Sequence, residues 1–152
     1  MKNNIVIIGT KPACPRCGFL TSYVTEKVKE TGIEADIRHI PYNSPEAQEY
    51  AGTCGLTPGT AKDVAKLLNI DFNLPQNLRT EFADEFDSIE EPFKQKLKEV
   101  RVLDENLRQF EERAKEVGIM MTPVLIINGE IKHQGSVPPI SKINEYISEL
   151  KN

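Results

Sequence analysis

The spacing of apolar positions along the 152-residue chain changes several times, and each change marks an element. Ile5-Val6-Ile7-Ile8 is β-branched throughout and ends at Gly9, the pattern of a short strand buried on both faces of a parallel sheet. The period then becomes helical: Leu20, Val24 and Val28, flanked by Phe19 and Tyr23, form one face that runs to a stop at Gly32. Pro15 suits the first position of that helix and puts Cys14 at its N-cap. Ala35 to Ile40 reads as a second strand, ended by Pro41. Strand, helix and strand joined by so short a crossover make a parallel, right-handed unit.

From Tyr42 to Glu91 no strand pattern shows, but helix signals recur. Ser44-Pro45 is an N-cap and first-turn pair, and Thr60 with Asp63 resembles a capping box ahead of Val64, Leu67 and Leu68. Leu74, Leu78, Phe82, Phe86 and Ile89 follow at nearly helical spacing. The segment 42–91 is therefore expected to be an all-helical insertion, patterned too well for a linker, that buries Leu68, Phe72, Phe82 and Phe86. From Pro92 to Val117 the stripe Phe93, Val100, Leu103, Leu107, Phe110, Ala114 and Val117 gives the longest helical period. At 1.5 Å per residue such a helix would span roughly 40 Å, more than a small sheet needs, so a break near Val100 or an early half belonging to the insertion is expected. Val124 to Ile127, Asn128-Gly129 and Glu130 to Gln134 read as a hairpin, and Ser141 to Leu150 as a closing helix.

Composition narrows the class. The length suits a single domain over 1–152. An acidic excess, net charge -4, argues against a surface built to neutralise phosphate, so nucleic acid is not an expected partner. The apolar run after Met1-Lys2-Asn3-Asn4 is too short for a secretory or membrane-spanning segment, which points to the cytoplasm and away from membranes. The long stripe covers too few heptads for a coiled coil, so a monomer or weak homodimer is expected. Three cysteines are an odd count and make no secreted framework; a close pair in a reducing compartment is catalytic or metal-binding.

That pair lies in "GTKPACPRCGF", residues 9–19. A thiol at a helix N-cap meets the positive end of the macrodipole and free N–H groups, which favour its thiolate. Cys14 is then the nucleophile, Cys17 the resolving thiol one turn on, and Arg16 between them adds positive charge after the helix-starting Pro15. Pro123 in Met121-Thr122-Pro123 fits either a trans strand start or a cis bond; a cis bond would turn the Thr122 backbone toward the cysteines, where an extended substrate pairs with it. A zinc site from Cys14, Cys17, Cys54 and either His39 or His133 is a second reading, weakened because Cys54 stands alone. A relay of the arsenate-reductase kind, with Cys54 as shuttle, is a third. Otherwise Cys54 is a spare thiol, His39 and His133 are packing or surface residues, and the acidic run Asp84 to Glu91 is a solvated helix face. Neither a cofactor nor a resident metal is expected.

"IVIIGT", "CPRC" with its amphipathic helix, and above all "VGIMMTPVLIINGEIKHQGSVPPISKINEYI" resemble the small thioredoxin-like redox-active disulfide proteins of bacteria and archaea, over residues 1–40 and about 100–150. The resemblance implies an α/β thioredoxin-like fold, βαβ and then α-β-β-α, with the helical insertion after the second strand. It also implies a catalytic Cys14–Cys17 pair facing a cis Pro123, and thiol–disulfide exchange with protein thiols or disulfides and an unidentified reductase. The chain departs from that pattern in three places. The loop Lys11-Pro12-Ala13 is longer, Ile8 stands six residues before Cys14 where thioredoxins commonly hold a buried acid, and 42–91 has no counterpart in the small members. The insertion's position resembles that of the helical insert of DsbA-like oxidoreductases, which suggests a lid that governs partner choice while leaving the chemistry to the core.

Overall fold

The computed structural model describes residues 2–72 and 83–150. Strand β1 (Asn3–Gly9) leads through a loop to helix α1 (Pro15–Thr31), and β2 (Ala35–Pro41) follows. α1 stops where Gly32 takes a left-handed conformation at φ 72° and returns its N–H to the Lys29 carbonyl. Next come α2 (Pro45–Gly52), β3 (Thr57–Gly59), α3 (Ala61–Leu68), α4 (Ala83–Asp87) and the long α5 (Phe93–Arg113). A 3-10 turn at Lys115–Val117, β4 (Ile119–Met121), β5 (Val124–Ile127), β6 (Glu130–Gln134) and α6 (Ile140–Ser148) complete the chain.

Among the described residues four strands form one mixed sheet in the order β2-β1-β5-β6, with β1 parallel to β2 and antiparallel to β5. Alternation along β1 divides the interior into two faces. Ile5 and Ile7, with Leu125 and Ile127, meet α1, α6 and the first half of α5. Val6 and Ile8, with Val124 and Ile126, meet Ala47 and Ala51 of α2 and Met120 of β4. A third cluster joins α3 to the second half of α5 through Val64, Leu107, Phe110 and Met121.

The segment 42–91 departs from an all-helical insertion. β3 pairs in parallel with β4, Thr57 opposite Ile119 and Gly59 opposite Met121. Three residues, Thr-Pro-Gly, carry no strand pattern of their own; it is the partner strand that holds them extended. α2 covers the second face of the sheet, so it is part of the core and not an addition to it. Thr60 caps α3 with both halves of a capping box in place. Phe72 stacks on Phe110 at 5.2 Å between ring centroids, Leu68 packs on the same cluster, and Phe86 packs on the first. The expectations for Leu74, Leu78 and Phe82 lie outside the described residues.

α5 runs without a break at Val100, which is itself buried. Its first turn belongs to the main core, because the Phe93 ring packs edge-on against Phe19 and Tyr23 at 6.0 and 5.6 Å. At 1.5 Å per residue the helix is about 30 Å long, enough to cover the α1 face of the sheet and then reach α3.

Candidate active site

The β1–α1 junction presents the cysteine pair. Cys14 is the N-cap of α1 in extended backbone (φ -70°, ψ 163°), and its Sγ accepts the N–H of Cys17 at 3.3 Å. Pro15 fills the first helical position, where a missing N–H costs nothing. Thr10 steadies the approach: its hydroxyl donates to the Pro12 carbonyl and accepts the Cys14 N–H, both at 3.0 Å. The Lys11–Pro12 bond in this loop is cis.

The two sulfurs lie 2.9 Å apart and share one S–H···S bond. Cys14 is half-buried and Cys17 fully buried. The bond from Cys17 lowers the Cys14 thiol to about 6; burial opposes this, and the Cys17 N–H and the Arg16 charge add to it. The same bond and burial push the Cys17 thiol far up. The shared proton therefore sits on Cys17, and Cys14 is the thiolate near neutral pH.

Arg16, the charge between the cysteines, is turned away from solvent. Its side chain is buried, donating to Asp104 at 3.0 Å and to the carbonyls of Gly135 at 2.7 Å and Thr122 at 3.2 Å. Asp104 also binds Arg101 at 2.8 Å, and Arg101 continues to Glu85 and to the carbonyls of Val137 and Pro138. Glu85, from the acidic run read as a solvated face, is largely buried and also accepts the Ile140 N–H at 2.8 Å. The positions Asp104, Arg101 and Glu85 gave no signal in the sequence, where charges on a helix pattern read as surface.

Thr122 and Pro123 are joined by a cis bond, and Thr122 lines the same groove as Cys14. The Thr122 N–H donates to the Gly59 carbonyl of β3 at 2.9 Å, and its carbonyl takes the Arg16 guanidinium. Both backbone groups that an extended substrate would pair with are thus engaged inside the chain. A groove of about 820 Å³ opens next to Cys14 and Thr122, walled by Tyr42, Phe72, Leu103 and Leu107 with Lys62 among its lining residues.

Residues 89–148 match the family model described as "Thioredoxin domain". Over that stretch the match supports a thioredoxin-fold family. The match covers α5, the Thr122–Pro123 junction, the hairpin and α6, and neither cysteine lies within it. No curated protein and no solved structure matches the chain. A redox type of function in general goes with this thioredoxin-like domain, and the proximity of Cys14 and Cys17 accords with it.

Of the remaining candidates, Cys54 and His133 lie apart from the pair. Cys54 is exposed in the turn after α2 and is absent from the groove beside Cys14. His133 is held in a separate chain of bonds, its Nε2 2.8 Å from the Ser136 hydroxyl, which donates to Glu111 at 2.8 Å. Among the described residues no three His, Cys, Asp or Glu side chains gather as a metal ion would require. No helix among them is long and apolar enough to cross a membrane.

Proposed function

We propose that the protein is a thiol–disulfide oxidoreductase in which Cys14 attacks a disulfide and Cys17 resolves the mixed disulfide. The observation that carries this reading is the N-cap placement of half-buried Cys14 with its Sγ 2.9 Å from that of buried Cys17, a contact that lowers the Cys14 thiol to about 6. Two adjacent thiols with pKa values driven apart are the arrangement that exchange needs: one nucleophile ready at neutral pH, and one reserve nucleophile that stays protonated until the first has reacted. Pro15 fixes the start of the helix, and Arg16 anchors its first turn to α5 while adding a smaller electrostatic push toward the Cys14 thiolate.

Thr122, held ahead of the cis Pro123, lines the groove beside Cys14, and the partner disulfide enters through that groove. The partners are protein disulfides or dithiols, with a separate reductase restoring the pair, in a cytoplasmic setting that keeps thiols reduced. Pseudo-first-order alkylation of the reduced protein tests the core of this reading. Cys14 should react with a midpoint near pH 6 and Cys17 far more slowly, and Cys17→Ser should accumulate a mixed disulfide on Cys14. A trap that forms on Cys17 in Cys14→Ser, and none on Cys14, would reverse the roles.

A further inference from the structure

His39 lies on β2 opposite Ile7 of β1, and strand alternation turns both toward α1. Gly9, two residues beyond Ile7, has no side chain on that face, and its Cα forms the floor on which α1 sets Cys17. A Cβ at Gly9 would stand 2.6 Å from Cys17 Sγ and 2.6 Å from His39 Nε2, so the sulfur and the ring nitrogen are within twice that distance of each other. His39 Nε2 is fully buried and has no hydrogen-bond partner among the described residues. A buried polar atom left unpaired beside a reactive thiol has a use whenever that thiol must give up its proton.

Exchange creates that need. While Cys14 is a thiolate, it accepts the Cys17 S–H, the direction in which their contact lowers Cys14 and raises Cys17. Once Cys14 is bonded to a partner sulfur, its charge is gone and the Cys17 proton has lost its acceptor, yet only the Cys17 thiolate can attack. We propose that His39 Nε2 accepts the Cys17 proton in this resolving step. The electron pair of the S–H bond stays on Cys17 Sγ, which bonds to Cys14 Sγ; the bond from Cys14 to the partner breaks, and the partner sulfur leaves with its electron pair. The substrate disulfide is reduced by two electrons and the cysteine pair oxidised by two, and the imidazolium then passes its proton to the departing thiolate.

The groups facing the imidazole fit this use. Cys17 approaches from α1, Lys11 acts from the preceding loop, and β1 offers Ile7 and Gly9, which do not titrate. Burial first, and then the Lys11 charge, hold His39 below its ordinary value, so the neutral ring is favoured at neutral pH; in its Nδ1–H tautomer Nε2 offers an open lone pair and releases an acquired proton readily.

This inference rests on the exchange reading, and one experiment separates the two. The reduced protein, with Cys54→Ser in every variant and in the reference so that its exposed thiol does not react, is mixed in stopped flow with 5,5'-dithiobis(2-nitrobenzoate), whose two chromophore releases then report attack by Cys14 and resolution by Cys17. The expectation for His39→Ala is an unchanged first release and a second release slowed by about tenfold or more at pH 7. His39→Asn, which fills the space without a comparable base, should behave alike. The wild-type second release should show an inflection below about pH 6.5 that both variants lack, and added imidazole should restore part of the rate in His39→Ala. A wild-type rate and pH profile in His39→Asn would overturn the assignment. So would a slowed second release that keeps the wild-type pH profile and ignores imidazole, since that marks a packing role alone. Absence of the first release in wild type would instead overturn the exchange reading, and this inference with it.

Discussion

Gly9 is where the absence of a side chain matters most. Cys17 Sγ and Cβ and His39 Nε2 all occupy the space that a Cβ there would take. Gly9→Ala should therefore destabilise the protein by about 1–3 kcal/mol, read as a lower midpoint in urea, because the clash falls on buried groups and not on the end of a flexible chain. Displacing Cys17 also weakens the S–H bond that does most to lower Cys14, so the midpoint of alkylation should rise above 6. Arg16 offers the contrasting case. Its charge is directed at Asp104 and two carbonyls, and it ranks behind the Cys17 bonds among the causes that lower Cys14. Arg16→Ala should cost about 3 kcal/mol in unfolding free energy, since removing one partner strands part of a buried charge, while shifting the alkylation midpoint upward only slightly. Local rules made the N-cap position of Cys14 and the first-turn Pro15 legible in the sequence. They said nothing of where a long side chain such as Arg16 ends, because its destinations, Asp104 and Gly135, are 88 and 119 residues away.

Elements whose pattern is written in their own residues were legible: β1, α1, β2, the Asn128-Gly129 hairpin and the capping box of α3 all follow from short-range signals. β3 and β4 do not, since each is three residues long and extended only because the other is there. α5 was misjudged for a related reason. Its length looked excessive for one sheet until α3 and β4 gave its second half a third cluster to cover. The same tertiary fact changes what the segment 42–91 can tolerate. Replacing residues 43–90 by a short Gly/Ser linker removes α2 from Val6, Ile8, Val124 and Ile126, removes β3 from β4, and removes Glu85 from Arg101. The linker variant should show no cooperative transition when urea unfolding is followed by circular dichroism, whereas a lid on an independent core would leave a sharp one.

Over the whole molecule, the chain of charges from Arg16 through Asp104 and Arg101 to Glu85 ties the first turn of α1 to α5, α4 and the loop before α6. Asp104→Asn should destabilise the protein by about 3 kcal/mol or more, because two guanidinium groups then face each other with one carboxylate fewer. With Asp104 neutral, less of the Arg16 charge is offset, so the Cys14 alkylation midpoint should move down, opposite in direction to Arg16→Ala. The engagement of Thr122 by Gly59 and Arg16 has a different reach. A free strand edge greets any extended peptide in the same way, since every residue carries the same amide, and so it is indifferent to identity. With that generic handshake already taken, selection passes to outline: how far a disulfide protrudes and whether its surroundings fill the groove beside Cys14. Across a panel of disulfides matched in reduction potential, exchange rates should spread widely with the bulk flanking the sulfur and hardly respond to N-methylation of the flanking peptide bonds.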